Sequence, residues 1–164
     1  LLTAQLEQQM SGAYAYLTLD GNTQTEMQAI AYGEMSGATQ DQFAAILSTM
    51  INRAFLTGAP MGLILNQGDY QALVPQKDYL VGNVPYNAFK QGASSPALAA
   101  AFARIVQYGV STNATSFKTG DATRTGLGNV LPATPDPSLK GPAGTLYLWV
   151  VAPGAKIIVP GWRR

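Results

Sequence analysis

A chain without histidine or cysteine has few ways to do chemistry with its side chains, and this one has neither among its 164 residues. That absence alone excludes a Ser-His-Asp triad, a Cys-His pair and the usual zinc sites, and with them most peptidase and amidase mechanisms. A Ser-Lys acyl-enzyme needs serine three residues before lysine. No serine here has that spacing, so Lys118-Thr119-Gly120 stands alone. Neither a phosphate-binding loop nor a dinucleotide fingerprint is present. What remains is carboxylate chemistry, with nine Asp and Glu to supply it.

Among those acids, Glu7, Asp41 and Asp136 fall on expected helix faces or loop surfaces, and Glu26 is expected to serve in a helix cap. Glu34 differs. In Ala31-Tyr32-Gly33-Glu34-Met35-Ser36-Gly37 it ends an apolar run just before a small-residue turn, in the last turn of an expected helix. The negative end of the macrodipole disfavours a carboxylate there and raises its pKa. Flanked by Ile30, Tyr32 and Met35, it has the setting of an acid kept protonated for general-acid work. A solvated glutamate at a helix end fits the same local pattern, and that pattern does not choose between the two.

The elements that would position it are mostly helical. Leu2, Leu6, Met10 and Ala13 give helical spacing to residues 1–17. Thr23 and Glu26 form a capping-box pattern that starts a helix at about Gln24 and carries it towards Glu34. Gly37 breaks it, and Thr39 with Gln42 repeats the box. Phe43, Ile46, Leu47, Met50, Ile51, Ala54 and Phe55 then follow a buried helical stripe, stopped by Gly58 and Pro60. A short apolar turn is expected at residues 62–65 and helical turns around Tyr86 to Lys90. Ser95-Pro96 opens a further helix through Leu98, Phe102, Ile105 and Val106 to Gly109. Residues 111–144 read as one long polar loop. Thr145 to Val151 and Lys156 to Val159 read as strands joined through Pro153-Gly154, so that one C-terminal hairpin closes a mainly α (α+β) domain.

The length suits a single domain, residues 1–164, which buries roughly two-thirds of its unfolded surface. The chain opens on Leu1-Leu2 rather than Met, and the expectation is a fragment or processed product. Ten basic against nine acidic residues give a net charge of +1 without a basic cluster beyond Arg163-Arg164, so no nucleic-acid partner is expected. The longest apolar runs fall well short of the ~18 residues of a membrane span. Only 12% of the chain is charged while neutral polar residues abound, a surface suited to polar uncharged polymers.

Four blocks in order resemble one family. Tyr32-Gly33-Glu34-Met35-Ser36-Gly37, Phe43 to Leu47 with Ile51-Asn52-Arg53, Gly68-Asp69-Tyr70, and Gly144-Thr145-Leu146-Tyr147-Leu148-Trp149 resemble the pattern of SleB-type cell wall hydrolases. Asp69 replaces the glutamine of that pattern, and the tail after Val151 departs from it. The resemblance implies a lysozyme-like fold and cleavage of the β-1,4 bond between N-acetylmuramic acid and N-acetylglucosamine in peptidoglycan. It places Glu34 at the family's catalytic glutamate.

The helical domain with its hairpin is also similar to the lytic enzymes of enveloped double-stranded RNA bacteriophages. This implies host-cell lysis, with action in the host's periplasm or cell wall or carriage on the virion. A lytic transglycosylase of this kind acts on glycan strands as a monomer, with no metal and no organic cofactor. One acid suffices for it, since the muramic 6-hydroxyl is the nucleophile, whereas glycosidases usually need two carboxylates. A hydrolytic muramidase in which Asp69 or Asp41 positions a water, a murein peptide endopeptidase and a noncatalytic glycan-binding module are the alternatives.

Gln67, Asp69 and Tyr70 are candidates to line a sugar groove, Tyr70 equally a core residue. Tyr147 and Trp149, two apart on one strand, share a face and either stack on sugars or pack on the helices. Ser36 and Asn113 are expected to donate hydrogen bonds to an acetamido group. Asn52 and Arg53 are expected to brace the fold.

Overall fold

In the computed structural model, residues 19–66, 82–120 and 130–151 are described. The expected helix at residues 1–17 and the 156–159 half of the expected hairpin lie outside them. Among the described residues there are five helices, α1 (Gly21–Glu34), α2 (Gln40–Thr57), α3 (Met61–Leu65), α4 (Val84–Lys90) and α5 (Pro96–Tyr108). Four strands follow, β1 (Ser116–Thr119), β2 (Val130–Pro132), β3 (Ser138–Gly141) and β4 (Gly144–Val151). The class is α+β.

The capping boxes come out differently. At α2, Gln42 N–H donates to Thr39 Oγ1 at 3.2 Å and Thr39 N–H donates back to Gln42 Oε1 at 2.9 Å, the expected reciprocal pair. The helix ends at Gly58, whose φ of 70° is the left-handed conformation glycine adopts without penalty. At α1 the cap is Asp20 instead of Thr23, with Asp20 Oδ1 accepting from Thr23 N–H at 2.7 Å. The helix therefore starts nearly a turn early, and Glu26 is no cap. An aspartate followed by glycine offers the stronger start. Glu26 is thereby turned to α4, where it takes Tyr86 Oη–H at 2.5 Å and Lys90 Nζ at 2.8 Å.

α2 runs through the middle of the molecule. Its expected stripe is buried at Phe43, Ile46, Leu47, Met50 and Ala54 and only half-buried at Ile51 and Phe55, while every residue from Gln42 to Met50 is buried, because neighbours cover the helix on all sides over this span. Its buried hydroxyls are satisfied within the helix: Ser48 Oγ donates to the Ala44 carbonyl and Thr49 Oγ1 to the Ile46 carbonyl, each at 2.7 Å. The expected start and stop of α5 are present, with Ser95 Oγ accepting from Leu98 N–H and Gly109 at the C-cap.

The long loop expected over residues 111–144 is instead the source of three strands. β4 is the central strand of a four-stranded antiparallel sheet, with β1 along one edge and β2 and β3 in succession along the other. One C-terminal hairpin therefore understates the sheet. The described hairpin is β3–β4, turning through Pro142-Ala143, on the N-terminal side of β4. Strands of three and four residues show too little alternation to be read locally. Their partner in β4 makes them strands.

Leu146 and Leu148 are buried against the helices, opposite Leu139 and Phe117, which pack on the same core. Bonds at the far end of α2 fix the sheet's approach. Asn52 Nδ2 donates to the Thr112 and Ala114 carbonyls, both at 2.8 Å, and Arg53 Nε to the Thr115 carbonyl at 2.6 Å. The expected bracing role of Asn52 and Arg53 is thus what they perform.

Candidate functional site around Glu34

Glu34 is the last residue of α1 and is half-buried. The chain leaves the helix at Met35, which is buried, and its N–H donates to the Ala31 carbonyl at 3.2 Å. Ser36 and Gly37 then form a turn that exposes both residues. A Cβ at Gly37 would lie 3.2 Å from Ala143 Cβ, so this turn sits directly against the tip of the β3–β4 hairpin. Five residues after Gly37, Gln42 fastens the same hairpin: its Nε2 donates to the Leu139 carbonyl at 2.8 Å and the Gly144 carbonyl at 3.0 Å. Gly141 must be glycine there, since a Cβ would fall 2.6 Å from Gln42 Oε1.

On the other side, α4 lies along α1. The Tyr32 and Phe89 rings meet with centroids 5.7 Å apart, Glu26 holds Tyr86 and Lys90, and Asn83 Nδ2 donates to the Gly33 carbonyl at 2.9 Å. Glu34 therefore stands on backbone held between α4 and the hairpin tip.

Tyr147 and Trp149 share a face, as expected, with ring centroids 6.2 Å apart and planes tilted by 34°. It is the face turned away from Leu146 and Leu148, so packing on the helices is not their role. Lys118 and Ser138 stand opposite Tyr147, and Ser116 and Pro132 opposite Trp149. Tyr147 is four residues from Ala143, about 13 Å along the strand. The strand that carries the pair starts from the hairpin tip against which the turn after Glu34 sits.

The other expected site residues fare variously. Ser36 is exposed, two residues beyond Glu34. Asn113 is exposed as well, but its Oδ1 accepts from Thr134 N–H at 2.8 Å, which ties it to the connection between β2 and β3 and not to the turn around Glu34. Gln67, Asp69 and Tyr70 lie outside the described residues. Asp41 pairs with Arg104 of α5 at 2.8 Å. That pair opens onto a recess of about 110 Å³, shared with Thr112 and Asp136, whose lining includes neither Glu34 nor the aromatic pair. A recess that leaves out the half-buried acid has less claim to be the site than the acid's own surroundings. Among the described residues no group of three His, Cys, Asp or Glu could hold a metal ion, and no helix is long and apolar enough to cross a membrane.

No protein-family model, curated protein or solved structure matches this chain. What the site can do is set by its own residues. Asn83 was absent from the expected set, although Asn83-Val84-Pro85 carries a cap signal with proline in the first turn. The reach of Gln42 to the hairpin had no sequence signal beyond the box itself.

Proposed function

We propose that this chain is a lytic transglycosylase that cleaves the β-1,4 bond between N-acetylmuramic acid and N-acetylglucosamine in peptidoglycan, with Glu34 as its acid and base. One observation carries the reading: a half-buried carboxylate ends α1, with the Gly33 carbonyl before it bonded to Asn83 and the turn after it set against the hairpin tip, in a chain without histidine or cysteine. Protonated, Glu34 donates to the glycosidic oxygen as the bond to the muramic anomeric carbon breaks. The muramic 6-hydroxyl attacks that carbon and passes its proton to the same carboxylate. A 1,6-anhydro end and a free 4-hydroxyl result, and Glu34 is restored. No water enters the products and no second carboxylate is needed, unlike the paired acids of hydrolytic glycosidases. Tyr147 and Trp149 offer rings for stacking on sugar faces, and Ser36 a hydroxyl for an acetamido group. The SleB-like blocks support the same substrate, and with it a place of action in the bacterial wall.

Purified murein digested by the chain is expected to release anhydro-muropeptides, one water lighter than hydrated ones by mass spectrometry. Glu34→Gln is expected to keep the fold and lower turnover by about 10²- to 10⁴-fold. Hydrated products would make the enzyme a muramidase, and cleaved stem peptides an endopeptidase. Full lysis by Glu34→Gln would remove Glu34 from the chemistry.

A further inference from the structure

Asn83 uses both ends of its side-chain amide. Oδ1 accepts from Tyr86 N–H at 2.9 Å and caps α4, while Nδ2 donates to the Gly33 carbonyl at 2.9 Å. The Gly33 carbonyl is among the last four of α1, which the helix's own amides leave for outside partners. The peptide plane that contains this carbonyl also contains the nitrogen and Cα of Glu34. Holding the plane places the N–Cα bond of Glu34 and so narrows the directions in which its side chain can leave the helix.

We propose that Asn83 is a positioning residue for Glu34, an inference that rests on the catalytic reading of Glu34 given above. Two features make an outside bond necessary. Gly33 is the residue type with most freedom to twist, so the final turn ends on a soft link. The chain also leaves the helix abruptly at Met35, which has an extended φ of −156°. Asn83 can supply the restraint because α4 is anchored independently. Tyr86 and Lys90 both hold Glu26, two turns and about 10 Å earlier along α1. The donated N–H also sets partial positive charge against the negative end of the helix, one residue from the carboxylate.

Asn83→Asp and Asn83→Ser separate this role from capping. Both keep an oxygen for Tyr86 N–H, but Asp has no donor for Gly33 and Ser is too short to serve both partners. With the full chain and purified murein, both variants are expected to lower kcat about 10- to 100-fold, as slight misplacement of a reacting group does. KM should stay within about twofold, and thermal melting should fall by no more than about 4 °C. Placed on Glu34→Gln, Asn83→Asp should cost no further activity, since residues that act as a unit are not additive. Unchanged kcat in both Asn83 variants, with Glu34→Gln inactive, overturns the positioning role alone. A further fall in the double variant also overturns it, because Asn83 would then act other than through Glu34. Wild-type turnover by Glu34→Gln overturns the reading of Glu34 and the role of Asn83 together.

Discussion

Gln42 Nε2 lies 3.0 Å from the Gly144 carbonyl oxygen, joining the first turn of α2 to a hairpin 102 residues further on. The same nitrogen serves the Leu139 carbonyl, and Gln42 Oε1 serves Thr39 N–H, so one fully buried amide satisfies three backbone groups. Because the turn after Glu34 abuts this hairpin, Gln42 sets where strand β4 starts relative to the acid. Gln42→Leu keeps the volume but orphans all three groups. It is expected to cost about 3 kcal/mol, read as a shifted midpoint in urea unfolding. A loss within about 0.5 kcal/mol would mean that water replaces the amide.

Gly141 is constrained by space and not by backbone angle. Alanine there would meet Gln42 Oε1 at 2.6 Å and Thr39 Cγ2 at 2.8 Å. Gly141→Ala is expected to destabilise the fold by about 1 to 3 kcal/mol through overpacking. Gly62 in α3 has nothing within 4 Å of an added Cβ, and Gly62→Ala should stabilise by up to about 1 kcal/mol. Equal effects of the two in thermal melts would contradict the close approach.

Burial first, and then the Glu26 carboxylate, holds the Tyr86 phenol above the ordinary tyrosine value. The unfolded chain releases this proton near pH 10 while the folded chain keeps it. Above about pH 10 the folded state thus binds more protons, and rising pH removes stability. Tyr86→Phe should be less stable than wild type near neutrality, by about 1 kcal/mol for the lost hydrogen bond. The gap should close as pH rises from about 10 to 11. Urea titrations across that range test this, and a constant gap would show that the Tyr86 proton is not linked to folding.

The aromatic pair on β4 should act on binding and not on bond cleavage. Tyr147→Ala and Trp149→Ala are each expected to raise KM about tenfold, equivalent to about 1.4 kcal/mol of lost stacking. The turnover number should stay within about twofold. Steady-state kinetics on purified murein separate the two constants. A fall in kcat with unchanged KM would place these rings in the chemistry or in the fold instead.

Glu34 became a candidate on two grounds in the sequence: histidine and cysteine are missing, and its block is followed in order by three others that resemble SleB-type hydrolases. The bounds of α2 and α5 were legible for a related reason. Thr39 with Gln42, Gly58 and Ser95-Pro96 act on amides and carbonyls within four residues, so their hydrogen bonds are written locally. The partner of Glu26 was not legible, since which side chain caps α1 depends on Asp20 outcompeting Thr23, and the carboxylate so released depends on α4 lying alongside. Nor were β1, β2 and β3, whose short runs become strands only when β4 supplies their partners.

The surroundings of Glu34 belong to the same class. The bonds from Asn83 to Gly33 and from Gln42 to Gly144 span 50 and 102 residues. Closing such distances costs chain entropy that only the finished core repays. Local signals suffice to end a helix at Glu34 and to bound α2 and α5. What holds the backbone around Glu34 came only with the packed chain, because a carbonyl left over at a helix end or in a hairpin takes whichever donor its neighbours bring to it.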